Sequence, residues 1–302
     1  MAGAGSAMSA ERSSNLVSAT WLRKHFDRPE LLILDARVGP AETAGGKLTY
    51  LSGRPGFQGD GHIPGARFAD LNDGFSDPDG AFLFTRPRAE AFARVVRALG
   101  IHANSLVVAY DSLSGAWAAR VWWVLRGFGH THVRVLDGGL KAWIEAGGKL
   151  EFGAGDVSAR PGDFVPVERP DAYVGTTEVL DVVAGRRVAH LICALPRGDF
   201  TGQTSLDPRR GHIPGSYNMP FRDMLDASGR IDLARVRQHA SRVGLDRADE
   251  ILLYCGGGIN AAGLALALSE AGYGAAKIYD GSLNEWKANP ALKLETGPER
   301  TQ

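Results

Sequence analysis

One stretch of this sequence places a nucleophile where main-chain dipoles could manage its charge. Ile251-Leu252-Leu253-Tyr254 reads as a buried strand, Cys255 ends it, Gly256-Gly257-Gly258 follows, and Ile259-Asn260-Ala261 opens a helix. Glycine has no Cβ, so the loop can curl tightly and turn successive N–H groups inward. Such a nest binds an anion, and the helix start adds the positive end of its dipole. Both effects favour thiolate over thiol, so Cys255 is expected to ionise more readily than an ordinary cysteine and to react at neutral pH. The same ring of amides, from Gly256 and Gly257 through Gly258, Ile259 and Asn260 to Ala261, could hold the outer sulfur of a persulfide, which is also an anion. An inert core cysteine is the plain alternative, but a structural strand-to-helix turn rarely needs three glycines.

Two other chemistries fit the stretch less well. Gly256-x-Gly258-x-x-Ala261, with Asp280 about 20 residues on, is a variant of the dinucleotide fingerprint. That fold needs further strand–helix units after the fingerprint, and the chain ends soon after Asp280. A cysteine phosphatase needs Cys-x5-Arg, its arginine clamping phosphate oxygens. Here the arginine position is Ala261, and no arginine falls between Cys255 and the end of that helix.

The elements that must position the loop are written twice. Gly61-His62-Ile63-Pro64-Gly65 returns as Gly211-His212-Ile213-Pro214-Gly215, Gly127-Phe128-Gly129 as Gly272-Tyr273-Gly274, and Asp137-Gly138-Gly139-Leu140 as Asp280-Gly281-Ser282-Leu283, in the same order at nearly constant spacing. A period this long means duplicated domains. The expected division is a first domain over 14–147, a linker rich in glycine and proline over 148–171, and a second domain over 172–297.

Within each half, short apolar runs alternate with helical patterns. Leu31–Asp35, Leu106–Tyr110 and Val133–Leu136 are the expected strands of the first half; Val188–Leu195, Ile251–Tyr254 and Lys277–Tyr279 are those of the second. Phe92, Val95, Val96 and Leu99 line one face of a helix, and Trp117, Val121, Val124, Leu125 and Phe128 line one face of another. Near-continuous apolar strands separated by helices imply a parallel sheet covered on both faces. The expected fold class is therefore α/β, with two tandem domains of this kind. In open α/β sheets ligands bind beyond the carboxyl ends of strands, where Cys255 sits. Asp111 takes that place in the first half and cannot carry sulfur, so only the second domain is expected to be catalytic.

The bulk composition agrees with a globular protein and excludes several partners. Lysine plus arginine and aspartate plus glutamate number 34 each among 302 residues, so there is no long-range pull toward nucleic acid or an anionic membrane. No apolar run is long enough to span a bilayer. Two cysteines make no disulfide framework and fit a reducing compartment. The polar stretch from Met1 to Ser14 has no secretory h-region and reads as a disordered tail, so the expected location is cytoplasmic.

With the paired Gly-His-Ile-Pro-Gly segments, the Ala119-Arg120-Val121-Trp122-Trp123 helix, Asp137-Gly138-Gly139 and the six-residue loop opening at Cys255, the chain resembles the tandem-domain rhodanese family of sulfurtransferases over about residues 14–297. The resemblance implies two rhodanese-like domains, the first inactive, with the active site between them. It implies transfer of sulfur from a small anionic donor, thiosulfate or 3-mercaptopyruvate, through Cys255 to cyanide or a thiol, with no metal or organic cofactor.

The chain departs from the family where the donor is read. Gly257 stands at the hydroxyl position of mercaptopyruvate-type loops and Asn260 at their threonine; Gly256 and Gly257 replace the cationic residues of thiosulfate-type loops. Leu195 and Asp199 stand where two donor-binding arginines are expected, which leaves Arg209 and Arg197 as the candidates to meet an anionic donor. His62 and His212, each in a repeated turn, are expected to fix that turn by hydrogen bonding rather than to catalyse. Cys193 ends a strand near the loop, where a resolving thiol or buried filler is expected, the second more often. The rival to a sulfurtransferase is a non-enzymatic persulfide carrier or sulfur-responsive binding module.

Overall fold

The computed structural model describes residues 14–43, 48–155, 160–204 and 207–299; the expected N-terminal tail lies outside these apart from Ser14. The first half runs β1 (Leu16–Val17), α1 (Ala19–Lys24), β2 (Leu31–Asp35), a hairpin of β3 (Val38–Glu42) and β4 (Leu48–Ser52), α2 (Arg54–Gly59), β5 (Arg67–Phe68), α3 (Ala89–Ala98), β6 (Leu106–Tyr110), α4 (Ala116–Gly127), β7 (Val133–Leu136) and α5 (Gly139–Glu145). The second half runs β8 (Tyr173–Val174), α6 (Thr176–Val183), β9 (His190–Cys193), α7 (Arg197–Thr201), β10 (Tyr217–Asn218), α8 (Leu233–Arg242), β11 (Ile251–Tyr254), α9 (Ile259–Glu270), β12 (Lys277–Tyr279) and α10 (Ser282–Ala288).

Each half holds a five-stranded sheet, in the order β1-β7-β6-β2-β5 and, by the same permutation, β8-β12-β11-β9-β10. All pairings within the two sheets are parallel. The apolar runs of the sequence become the central strands because both faces are covered. On one face of the second sheet lie Leu191, Leu252 and Tyr254 with Trp286, and on the other Ile192, Leu253 and Ile278. The predicted strand at Val188–Leu195 is shorter, His190–Cys193, and Val188 is 95% exposed. The β3–β4 hairpin, antiparallel and separate from both sheets, has no counterpart in the sequence reading.

Helices α4 and α9 pack against each other across the two halves, and one apolar cluster runs from Leu34 and Val107 through both helices to Leu253 and Ile278. This explains a departure from the one-sided helix expected over 117–128. Eleven of its twelve residues are buried, because the helix is covered by its own sheet on one side and by the other half on the opposite side. Segment 148–171, expected as a linker, is strapped to the first half by backbone bonds from Gly162 N to Arg97 O, Phe164 N to Ile101 O, Val167 N to Phe128 O and Arg169 N to Gly127 O.

The repeated histidine turns are built alike. His62 Nδ1 lies 2.9 Å from Phe57 O and His212 Nδ1 lies 2.8 Å from Phe200 O, each ring stacked on the same phenylalanine at 3.8 and 3.7 Å. Ile63 N donates to the Tyr110 hydroxyl and Ile213 N to the Tyr254 hydroxyl. Burial lowers the His212 pKa. Both rings brace turns, on the side of the sheets away from Cys255.

Candidate active site

Cys255 follows β11, and its loop is shaped from both ends. Gly258 caps α9 in the left-handed conformation (φ 84°), which glycine adopts without steric cost. Leu283 N and Asn284 N, at the start of α10, donate to Cys255 O and Gly256 O at 3.0 Å each. With those carbonyls held toward α10, the loop amides are left for the opposite side. Gly258 N donates to Cys255 Sγ at 3.1 Å. Among the described residues, the amides of Gly256, Gly257, Ile259, Asn260 and Ala261 donate to no protein acceptor. One amide of the expected nest, that of Gly258, contacts the sulfur.

The first half shows what such a nest holds. Asp111 follows β6 as Cys255 follows β11, and Gly115 caps α4 at φ 79° as Gly258 caps α9. The Asp111 carboxylate accepts from Leu113 N at 2.8 Å, Gly115 N at 3.0 Å, Trp117 N at 3.1 Å and Ala118 N at 3.0 Å. Burial raises the Asp111 pKa, and the amides of Ala118, Gly115 and Leu113 oppose that rise. A carboxylate thus fills, in one half, the kind of amide cradle that stands beside a cysteine in the other.

Ser282 escaped the sequence reading. It is fully buried at a positive φ of 50°, strained for a residue with a side chain. Its hydroxyl accepts from Cys255 N at 3.2 Å and donates to Tyr279 O at 2.8 Å, which fixes the cysteine backbone. The repeat itself held the signal, since Ser282 replaces Gly139, whose φ is 57°.

Cys255 is 2% exposed, at the floor of a cavity of about 520 Å³ that opens between the halves. Gly256, Gly257, Ile259 and Asn260 complete the floor, and the first half supplies a wall of Thr49, Tyr50, Leu83, Phe84 and Trp117. Trp117 meets Tyr50 and Phe84 edge-on, with ring centroids 4.7 and 5.1 Å apart. Tyr50 comes from the unforeseen hairpin. A side chain at Gly257 would lie 3.0 Å from Leu83 O and 3.2 Å from Asn284 Nδ2, so the wall itself presses against the position where a hydroxyl residue was expected.

The charged groups lining the cavity are Asp199, Asp207, Arg222 and Lys287. Neither arginine singled out from the sequence is among them. Arg209 spends its guanidinium on the carbonyls of Lys287, Asn289 and Leu292, where it closes the C-terminal end of α10. Arg197 is half exposed and pairs with Glu299 at 3.3 Å, outside the cavity. Lys287 pairs with Asp207 at 3.4 Å, and Asp199 accepts from Thr204 Oγ1 at 2.7 Å. Arg222 is exposed and its guanidinium makes no hydrogen bond or ion pair among the described residues, which makes it the cation most available to a ligand.

Cys193 faces away from this cavity. Successive strand residues point to opposite faces, and Cys193 lies in the cluster with Tyr254 and Trp286 while Cys255 lies in the cluster between the halves. It is fully buried, and burial pushes its thiol up to about 12. That environment suits filler rather than a resolving thiol. Among the described residues no group of three or more histidine, cysteine or acidic side chains could hold a metal, and no helix is long and apolar enough to cross a membrane.

Comparison with known proteins places these features in a wider set. The model of the rhodanese-like domain matches residues 18–146 and again 189–289. The chain is 34% identical to the 3-mercaptopyruvate sulfurtransferase of Escherichia coli K12, covering 92% of this chain and 97% of that protein. It is 33% identical to thiosulfate/3-mercaptopyruvate sulfurtransferase 1 of Arabidopsis thaliana, covering 96% of this chain and 80% of that protein. Its structure superposes on that of SseA from Escherichia coli, a 3-mercaptopyruvate enzyme, with a TM-score of 0.76 and 32% identity, covering 89% of this chain and 99% of that one.

Proposed function

This chain belongs to the rhodanese-like family, with two such domains in tandem, and on that premise we propose that it is a sulfurtransferase whose Cys255 carries sulfur as a persulfide. The observation that carries the reading is the amide nest at Cys255, with Gly258 N already on Sγ and the Asp111 carboxylate holding the matching nest of the other half.

The proposed reaction is a double displacement. The Cys255 thiolate attacks the transferable sulfur of a small anionic donor, thiosulfate or 3-mercaptopyruvate. The bond from that sulfur to the rest of the donor breaks, and its electron pair leaves with sulfite or with the enolate of pyruvate, which takes up a proton. The outer sulfur, now on Cys255, bears the negative charge and rests against the free loop amides. A thiol or cyanide then attacks it, the S–S electron pair returns to Cys255 Sγ, and the thiolate is restored with release of a persulfide or thiocyanate. Arg222 and Lys287 take the place proposed at first for Arg209 and Arg197 in meeting the donor anion, and the aromatic wall excludes water. Nothing in these steps needs a cofactor. Two unpaired cysteines suit a cytoplasmic location.

The test is to incubate the protein with each donor, weigh the intact chain for one added sulfur, then add cyanide and measure thiocyanate. Wild type should gain the sulfur and turn over, and Cys255→Ser should do neither while keeping its fold. A Cys255→Ser variant that still transfers sulfur would overturn the reading. Sulfur uptake without turnover would replace it by the persulfide carrier, a reading that the scarcity of free cations in the cavity favours.

A further inference from the structure

Arg120 lies on α4, in the half without the cysteine, yet it is fully buried and its guanidinium reaches across to the loop. Nη2 donates to Asp280 Oδ1 at 2.8 Å and to Phe84 O, and the guanidinium carbon lies 4.5 Å from the Trp123 ring centroid. Nε and Nη1 are buried with no hydrogen-bond partner among the described residues. Nη1 also abuts the backbone of Gly258: a Cβ there would lie 2.8 Å from it. Gly258 is the residue whose amide donates to Cys255 Sγ.

Buried, orphaned guanidinium donors are costly unless something offsets them. The facing carboxylate, Asp280, pairs with Nη2 and also accepts from the neutral amide Arg86 N at 2.6 Å, while Nη1, the nitrogen against Gly258, has no acceptor among the described residues. The amide of the same Gly258 donates to the sulfur that must be negative as thiolate and as persulfide. The absence of a side chain at Gly258 is what lets Nη1 approach the loop backbone.

We infer that Arg120 is a positioning residue of the neighbouring domain, which holds the Gly258 amide on Cys255 Sγ and whose buried positive charge favours negative sulfur there. The inference rests on the proposed function but concerns only the charge state of Cys255. It gives the non-catalytic half a part in the reaction beyond walling the cavity. The other ionisable groups around the two partners are Asp199, Asp207, Arg222 and Lys287 in the cavity, Cys193 and Tyr254 behind the loop, and Arg86 and Tyr173 near Arg120. All are unchanged in the comparison that follows.

The experiment is alkylation of Cys255 by iodoacetamide as a function of pH in the full chain without donor, with Cys255→Ser as the blank. Arg120→Met should move the pH midpoint up by about one unit, roughly a tenfold loss of rate at neutral pH, and Arg120→Lys should restore most of it. Asp280→Asn, which removes the counter-charge, should move the midpoint down. A purely structural ion pair would instead make Arg120→Met and Asp280→Asn move it the same way or not at all, and either result overturns the inference. If Arg120→Met does not fold, Asp280→Asn decides alone: a downward shift supports the inference, and an upward shift or none overturns it. Because no donor is present, a wrong assignment of function would show in the Cys255→Ser transfer assay and leave this readout intact.

Discussion

At the residue scale the informative comparison lies within the molecule. Cys255 and Asp111 occupy the same place after the same strand, one beside amides that donate to no protein acceptor, the other with four amides on its carboxylate. The aspartate makes the first half a permanently occupied version of the site. Asp111→Ala leaves those four amides without acceptors, two of them, Trp117 N and Ala118 N, buried, so it should cost roughly 3 kcal/mol. Formate, which can enter the vacated cradle, should recover part of the loss. Thermal unfolding with and without formate checks this: a variant that responds to formate no more than wild type would show that the nest does not select anions. The cavity cations show the opposite lesson. The family resemblance leaves Arg209 as a candidate to meet the donor, but three carbonyls at the end of α10 use it up.

At the element scale, the parallel strands that carry the loop are tied at their other end. Glu250, just before β11, accepts from Arg187 Nε and Nη2 at 2.8 and 2.6 Å and from Lys277 Nζ at 2.7 Å, linking the entries of β9, β11 and β12. Hydrogen bonds from Arg187 and then Lys277 lower the Glu250 pKa to about 2. A carboxyl depressed in the folded state stabilises it above the unfolded value and loses that contribution as pH falls through the folded one. The window is therefore from about pH 4.5 down to about 2. The urea midpoint of wild type should fall across it, and that of Glu250→Gln should start lower and fall less. Equal slopes would mean the ties contribute nothing, as partly exposed pairs sometimes do.

At the scale of the whole molecule, the cavity exists only because α4 and α9 bring two similar halves together. The first half gives Tyr50, Phe84 and Trp117 to the wall and Arg120 to the back of the loop. Ala119 is fully buried on α4, and a charge there has no partner to receive it. Ala119→Glu should therefore lower stability by several kcal/mol and take sulfur transfer down with it. Denaturant unfolding and a thiocyanate assay on the same samples check the coupling; full transfer in a variant whose halves have separated would show that the second half suffices alone.

Much of this was legible in the sequence. Apolar runs gave Leu31–Asp35, Leu106–Tyr110, Val133–Leu136, Ile251–Tyr254 and Lys277–Tyr279 to the residue, because a strand covered on both faces is filled mostly by apolar side chains. The repeat gave the doubled fold, and the glycines after Cys255 pointed to the tight turn in which Gly258 takes a positive φ, since backbone freedom is written directly in residue type. The tertiary structure alone decided which cations face the cavity, which way Cys193 points, that a hairpin supplies Tyr50, and that Arg120 and Ser282 stand against the loop. Each of these depends on residues far apart in the chain, and a side chain's type does not reveal which distant carbonyl or carboxylate it will meet.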